Sequence, residues 1–176
     1  SLENLGINHD EFMIELSKYD GCIAGSFVFM NFGFSETGKN FLGFPKEFND
    51  IDVYIHYTDI EFGPVGDDPF KNFHPFELFI MNKYTIKHEN SNSYIFTDGI
   101  YHSRTYDIGK VKINIITLSM DAKQFIEENF DLDCCKITYD GELVECSNID
   151  NLLKGTTYFR YNKCSLGNIY KNGLVE

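Results

Sequence analysis

The chain contains no tryptophan, only four prolines, and no apolar run close to the roughly 20 residues a membrane-spanning helix requires. No helical membrane span is therefore expected. The opening stretch, SLENLGINHDEF, has neither a basic segment nor an apolar one behind it, so the sequence predicts no secretory signal within the chain. Positive charge is scarce. Fifteen Lys and Arg face 27 Asp and Glu, a formal net charge of −12. A field of that sign repels polyanions and excludes a constitutive grip on long DNA or RNA. It leaves room for a small nucleotide whose phosphates are screened by a metal ion. Cysteine pairing is also missing: Cys22, Cys134, Cys135, Cys146 and Cys164 are odd in number and contain no CxxC spacing. Adjacent Cys134 and Cys135, read as strand residues, point to opposite faces, which suits neither zinc nor a disulfide. Reduced thiols and a cytoplasmic location are the expectation.

What is present is the composition of a folded domain, 43% hydrophobic and 24% charged. Seventeen Phe and 11 Tyr predict a Phe-rich core edged by Tyr hydroxyls. No repeat, low-complexity tract or Pro/Ser linker divides residues 1–176, which read as a single domain.

Periodicity then orders the elements. Residues 9–19 make an amphipathic helix, GCIA (21–24) a short strand, and 27–33 a helix capped by Ser26 after a tight turn at Gly25. Residues 34–49 and 61–69 are rich in Gly, Pro and polar side chains and read as loops. DIDVYIHY (50–57) alternates as a strand, and a helix follows, begun near Pro75. Strands are expected at 84–89, 93–98, 101–106 and 110–118, a helix at 121–129, and a strand over LDCCKITYD (132–140). Asp140-Gly141 marks a hairpin into ELVEC, and 148–176 reads as a C-terminal helical part. The sum is α+β: a mixed, largely antiparallel sheet with helices mainly on one face.

The chemistry concentrates in two places. On a strand, residues two apart share a face, so Asp50 and Asp52 project together while Ile51 and Val53 face the core. Two neighbouring carboxylates repel unless water or a cation lies between them, and all-oxygen ligands suit Mg²⁺ or Mn²⁺. The Gly25-Ser26 turn supplies backbone N–H groups, a hydroxyl and a helix start for a phosphate. Together the two halves describe a triphosphate-plus-metal site, suited to phosphoryl or nucleotidyl transfer.

The order IAGSFVFM, NDIDVYIHY and then KVKINIITL resembles the nucleotidyltransferase superfamily of the DNA polymerase β type. YIFTDGIY, INIITL, FDLDCCKITYDGE and YFRYNK further resemble nucleotidyltransferase-like proteins of large viruses and phages. The resemblance implies that Gly25 and Ser26 hold phosphates and that Asp50 and Asp52 bind Mg²⁺ or Mn²⁺ as the catalytic carboxylates. It implies a nucleoside triphosphate substrate and a hydroxyl acceptor on a small molecule, a protein or an RNA end. Arg160 and Lys163, three apart on a helix and so on one face, would by the resemblance lie near the nucleotide, the alternative being a solvated basic face. Two departures stand out. Twenty-three residues separate Ser26 from Asp50, which makes 34–49 an inserted loop, a lid or a partner surface. Where a third carboxylate belongs, the strand carries Asn114, an amide that cannot be a general base. Asp98, Asp107 and Asp131 are the acids left to replace it. The alternative implied is a catalytically degenerate relative that senses nucleotide or binds protein, as an antitoxin-like or host-interaction module.

Other candidates follow from alternation and spacing. His56 falls on the face of Asp50 and Asp52, Arg104 is placed to reach a phosphate or end in a surface ion pair, and no Cys–His pair is selected by spacing.

Overall fold

The computed structural model of the chain describes residues 1–32, 50–56, 73–92, 98–130 and 132–154. Asn8 opens the first helix: its side chain accepts from Glu11 N at 2.9 Å and so caps α1 (His9–Ser17). Phe12, Met13 and Leu16 of α1 are buried. Strand β1 (Cys22–Ala24) is buried along its length, and α2 (Ser26–Phe32) follows after one residue. Strand β2 (Asp50–His56) buries its odd positions, as the alternation predicts.

The helix at Pro75 has the strongest start in the chain. His74 is the N-cap of α3 (Pro75–Lys83) and accepts from Phe76 N at 3.2 Å, while the Glu77 carboxylate accepts from His74 N at 2.7 Å. This reciprocal cap satisfies two donors that a helix end otherwise leaves unpaired. Then come β3 (His88–Asn92), β4 (Ile100–Asp107) and β5 (Lys112–Leu118). Asp121 caps α4 (Ala122–Asn129), and β6 (Ile137–Tyr139), β7 (Val144–Cys146) and α5 (Ile149–Lys154) complete the described elements.

The seven strands form one mixed sheet in the order β3-β4-β5-β2-β1-β6-β7, with five α-helices among the described residues. Only the central β2–β5 pair is parallel; the other five pairs are antiparallel. One face carries Ile51, Val53, Ile55, Ile113, Ile115 and Tyr106, and against it pack buried residues of α1, α2 and α3. Among the described residues, α4 covers the opposite face, where its Ala122, Phe125 and Ile126 meet Cys22, Tyr54, Ile116 and Leu118. Phe12 and Phe76 meet edge to face at 5.3 Å between centroids, which joins α1 to α3 in the Phe-rich core. No helix among the described residues is long and apolar enough to cross a membrane.

Several sequence expectations are corrected. The strand over 132–140 is a 3₁₀ turn, Asp133–Cys135, followed by a three-residue strand. Cys134 and Cys135 therefore do not alternate across a sheet. The turn closes through Cys135 N to Leu132 O and Lys136 N to Asp133 O, and buried Lys136 reaches the Glu127 carbonyl at the end of α4. The chain thus needs a tight reversal where an extended run is predicted. The strand expected at 84–89 begins at His88 instead, because Tyr84 still closes α3 by donating to Ile80 O. Helix α2 starts at Ser26 itself. Loops 34–49 and 61–69, most of the strand at 93–98 and the tail beyond 154 lie outside the described residues.

His74 carries a pH consequence. Burial pushes its imidazole from 6.5 down to about 4, against the opposing pull of Glu77. Its neutral form is the one that accepts from Phe76 N. The unfolded chain takes up this proton near 6.5, whereas the folded one resists until about 4. Stability is therefore expected to fall by about 3 kcal/mol between those two pH values as acid is added, following 1.36 kcal/mol per pKa unit. Urea melts across that range would check it, and His74→Asn, which retains a cap, should flatten the dependence.

Candidate functional site

Antiparallel pairing of β1 with β2 places the end of one strand beside the beginning of the other. Ala24 pairs with Asp52, so the Gly25-Ser26 turn leaves the sheet at the carboxylate end. Gly25 has φ +75°, a conformation that side chains with a Cβ rarely adopt. A Cβ there would also lie 3.3 Å from Asp52 Oδ2. Glycine thus makes the turn and clears the carboxylate with the same missing atom. Ser26, the first residue of α2, is exposed beside it. Because α2 has only seven described residues, the turn itself matters more here than a helix dipole.

Parallel pairing of β2 with β5 completes the row. Asp52 is in register with Asn114, and Asn114 with Thr105 on β4. Thr105 Oγ1 donates to Asn114 Oδ1 at 2.7 Å, which turns the amide nitrogen toward the acids. Asn114 Nδ2 donates to Asp52 Oδ1 at 2.8 Å and lies 3.4 Å from Asp50 Oδ2. Directly opposed residues share a face, so Thr105, Asn114, Asp52 and Ala24 form one polar-to-small row on the face that α4 only partly covers. Burial pushes the Asp52 carboxyl up, the Asn114 hydrogen bond draws it down and the Asp50 charge pushes it up again, for a net rise. Among the described residues, neither acid has an ion pair with Lys, Arg or His.

No group of three His, Cys, Asp or Glu is arranged to hold a metal among the described residues. Two carboxylates without a cationic partner still fit Mg²⁺ or Mn²⁺, which commonly take one or two protein carboxylates and complete their shell with water and phosphate oxygens. Asn114 presents a donor rather than an oxygen, so the protein ligands would be Asp50 and Asp52.

The remaining candidates separate cleanly. Arg104 is not available to a phosphate near Asp52. It pairs with Ile115 on the opposite face of the sheet, donates to Glu77 at 2.8 Å and stacks its guanidinium over Phe73 at 4.4 Å. Its ion pair is internal, since Glu77 is fully buried. His56 shares the face of Asp50 and Asp52 at the far end of β2, and its backbone N–H donates to Tyr19 O. Asp107 is separated from Asp50 by Lys112 in the strand register, and its carboxylate accepts from Gly109 N at 2.7 Å. Asp98 is exposed in the turn before β4. Asp131, Arg160 and Lys163 lie outside the described residues.

Sequence reasoning missed Thr105, the residue that orients Asn114, and Glu77. Glu77 had a signal: a lone acid inside the apolar run PFELFIM, three residues after a capping position.

No protein-family model, curated protein or solved structure matches this chain.

Proposed function

We propose that the chain binds a nucleoside triphosphate with a divalent metal ion and transfers its nucleotidyl group to a hydroxyl acceptor on a small molecule, a protein or an RNA end. The observation that carries this reading is the approach of Gly25 to Asp52: the Gly-Ser turn and the Asp-x-Asp strand meet at one edge. The mixed, largely antiparallel sheet is compatible with the α+β arrangement that the sequence resemblance implies. Asp50 and Asp52 would hold Mg²⁺ or Mn²⁺, and the Gly25-Ser26 backbone and Ser26 hydroxyl would receive phosphate oxygens. Once bound, such an ion neutralises charge on the transferring phosphate. Among the described residues, α4 covers only part of the polar row.

Asn114 favours a second reading, a catalytically degenerate relative that senses nucleotide or engages a protein. Its amide donates to the acids and can take no proton from an acceptor hydroxyl. Calorimetric titration of nucleoside triphosphates with and without Mg²⁺ or Mn²⁺ tests the shared core of both readings, and metal-independent or absent binding refutes it. Pyrophosphate release in the presence of acceptor mixtures separates transfer from sensing.

Asn114→Asp sharpens that separation. A third carboxylate packed against two others should lower the melting temperature in chelator. Added Mg²⁺ or Mn²⁺ should then raise it more than in wild type, as ligand binding to the folded state alone requires. Thermal melts with and without metal check this, and an unchanged metal response would remove Asn114 from the site.

A further inference from the structure

Asp52 also lines a cleft of about 270 Å³ that runs from the carboxylates toward α4, with Tyr54, Ile100, Ile116, Phe125, Asn129 and Phe130 as its other walls. Aromatic rings dominate it: Tyr54 lies 6.2 Å from Phe125 and 5.8 Å from Phe130 between centroids. Ligand pockets usually span about 300–1,000 Å³, so this one suits a single flat ring system rather than a large molecule. Such rings stack on aromatic side chains irrespective of sequence.

Selectivity comes from the amide. Asn129 ends α4, and its Nδ2 donates to the Phe125 carbonyl at 3.0 Å, which fixes the group. That bond uses one of two N–H donors. The second N–H and the Oδ1 acceptor have no partner among the described residues. An acceptor and a donor on one amide match an amino N–H beside a ring nitrogen, the pattern that adenine and cytosine share, and stacking on the aromatic walls favours the larger adenine ring.

We propose that this cleft holds an adenine base, seated against the aromatic side chains of Tyr54, Phe125 and Phe130 and read by Asn129. The inference rests on taking Asp50 and Asp52 as the phosphate and metal end of the same nucleotide. ATP is then the preferred triphosphate, and an adenosine moiety alone retains part of the affinity.

The test is calorimetric titration of ATP, GTP, CTP and UTP with Mg²⁺, and of adenosine without metal, into wild type, Asn129→Ala and Asn129→Asp. Far-UV circular dichroism confirms that each variant is folded. Wild type should prefer ATP by about tenfold, the scale of one good bidentate contact. Asn129→Ala should level the four affinities. Asn129→Asp, which only accepts, should shift preference to GTP, whose base offers two adjacent N–H donors; a merely structural Asn129 would not produce that switch. Equal binding of all four triphosphates in wild type overturns the adenine assignment and leaves the metal–phosphate reading standing. Adenosine binding that Asn129→Ala removes, without metal-dependent binding of any triphosphate, does the reverse. Absence of both overturns both.

Discussion

Asp52→Asn is expected to abolish metal-dependent triphosphate binding, weakening it by at least about 100-fold, or roughly 2.7 kcal/mol, while leaving the protein as stable as wild type or slightly more so. The first half follows from losing one of two anionic ligands. The second follows from the local charge balance. The Asp52 carboxyl is held above its ordinary value, chiefly by burial and further by the Asp50 charge. A carboxyl raised by folding detracts from stability at neutral pH, because the folded state would rather hold the proton. An amide removes that penalty and can still accept from Asn114 through its oxygen. Calorimetry and a denaturant melt on the same preparation decide the matter. A cooperative loss of fold would mean that Asp52 is structural and would end the site hypothesis, whereas unchanged metal-dependent binding would relocate it.

The second large effect lies on the other face of the sheet. Glu77→Ala is expected to cost about 3–5 kcal/mol, because it leaves Arg104 inside the protein without its counter-charge. Glu77 has no exposed surface and accepts from Arg104 at 2.8 Å, Tyr106 Oη at 3.0 Å and His74 N at 2.7 Å. Burial alone would push its carboxyl up, yet hydrogen bonding by His102 and the Arg104 charge hold it below the usual range. A depressed acid stabilises the fold above its unfolded value and loses that contribution as pH falls through the folded one, so the Glu77 loss lies below about pH 4.5. At 2–4 °C per kcal/mol for a chain of this size, the alanine variant should melt about 10 °C lower. Glu77→Leu with Arg104→Met should recover part of the loss, since burying neither charge avoids stranding one, while Tyr106 Oη and His74 N still lose their acceptor. Triphosphate affinity of the folded variants should not change, because this network and Asp52 are on opposite faces. A parallel loss of affinity would show that the two faces are coupled.

The contrast between Asp52 and Arg104 explains what was legible in the sequence. Strand β2 is readable because polar and apolar residues alternate from Asp50 to Val53, and Asn114 because β5 opens the same way, with Lys112 and Asn114 on either side of Ile113. Strand β4 defeats the same method. Its pairing with β5 shifts between Ile100 and His102, so Ile100 opposes Leu118 while His102 opposes Thr117. One extra residue reverses the parity of everything after it. Arg104 is thereby turned to the inner face and Thr105 to the site. Strand β3 is obscure for another reason: HENSN is a polar sheet edge with no apolar alternation to mark it. The cleft beside Asp52 was invisible because Tyr54, Ile116, Phe125 and Asn129 come from three separate elements, each of which reads as ordinary core or helix end.

The single parallel pair also governs when the site comes into being. Asp52 and Asn114 are 62 positions apart, and no hairpin brings them together. Strands β4 and β5 are neighbours in the chain and can zip locally, whereas β2 must wait for a long loop to close. The contact of the carboxylates with Asn114 is therefore expected at the late, nonlocal stage of folding. Contacts made that late are largely missing from the folding transition state, so a nucleotide bound there should slow unfolding rather than speed folding.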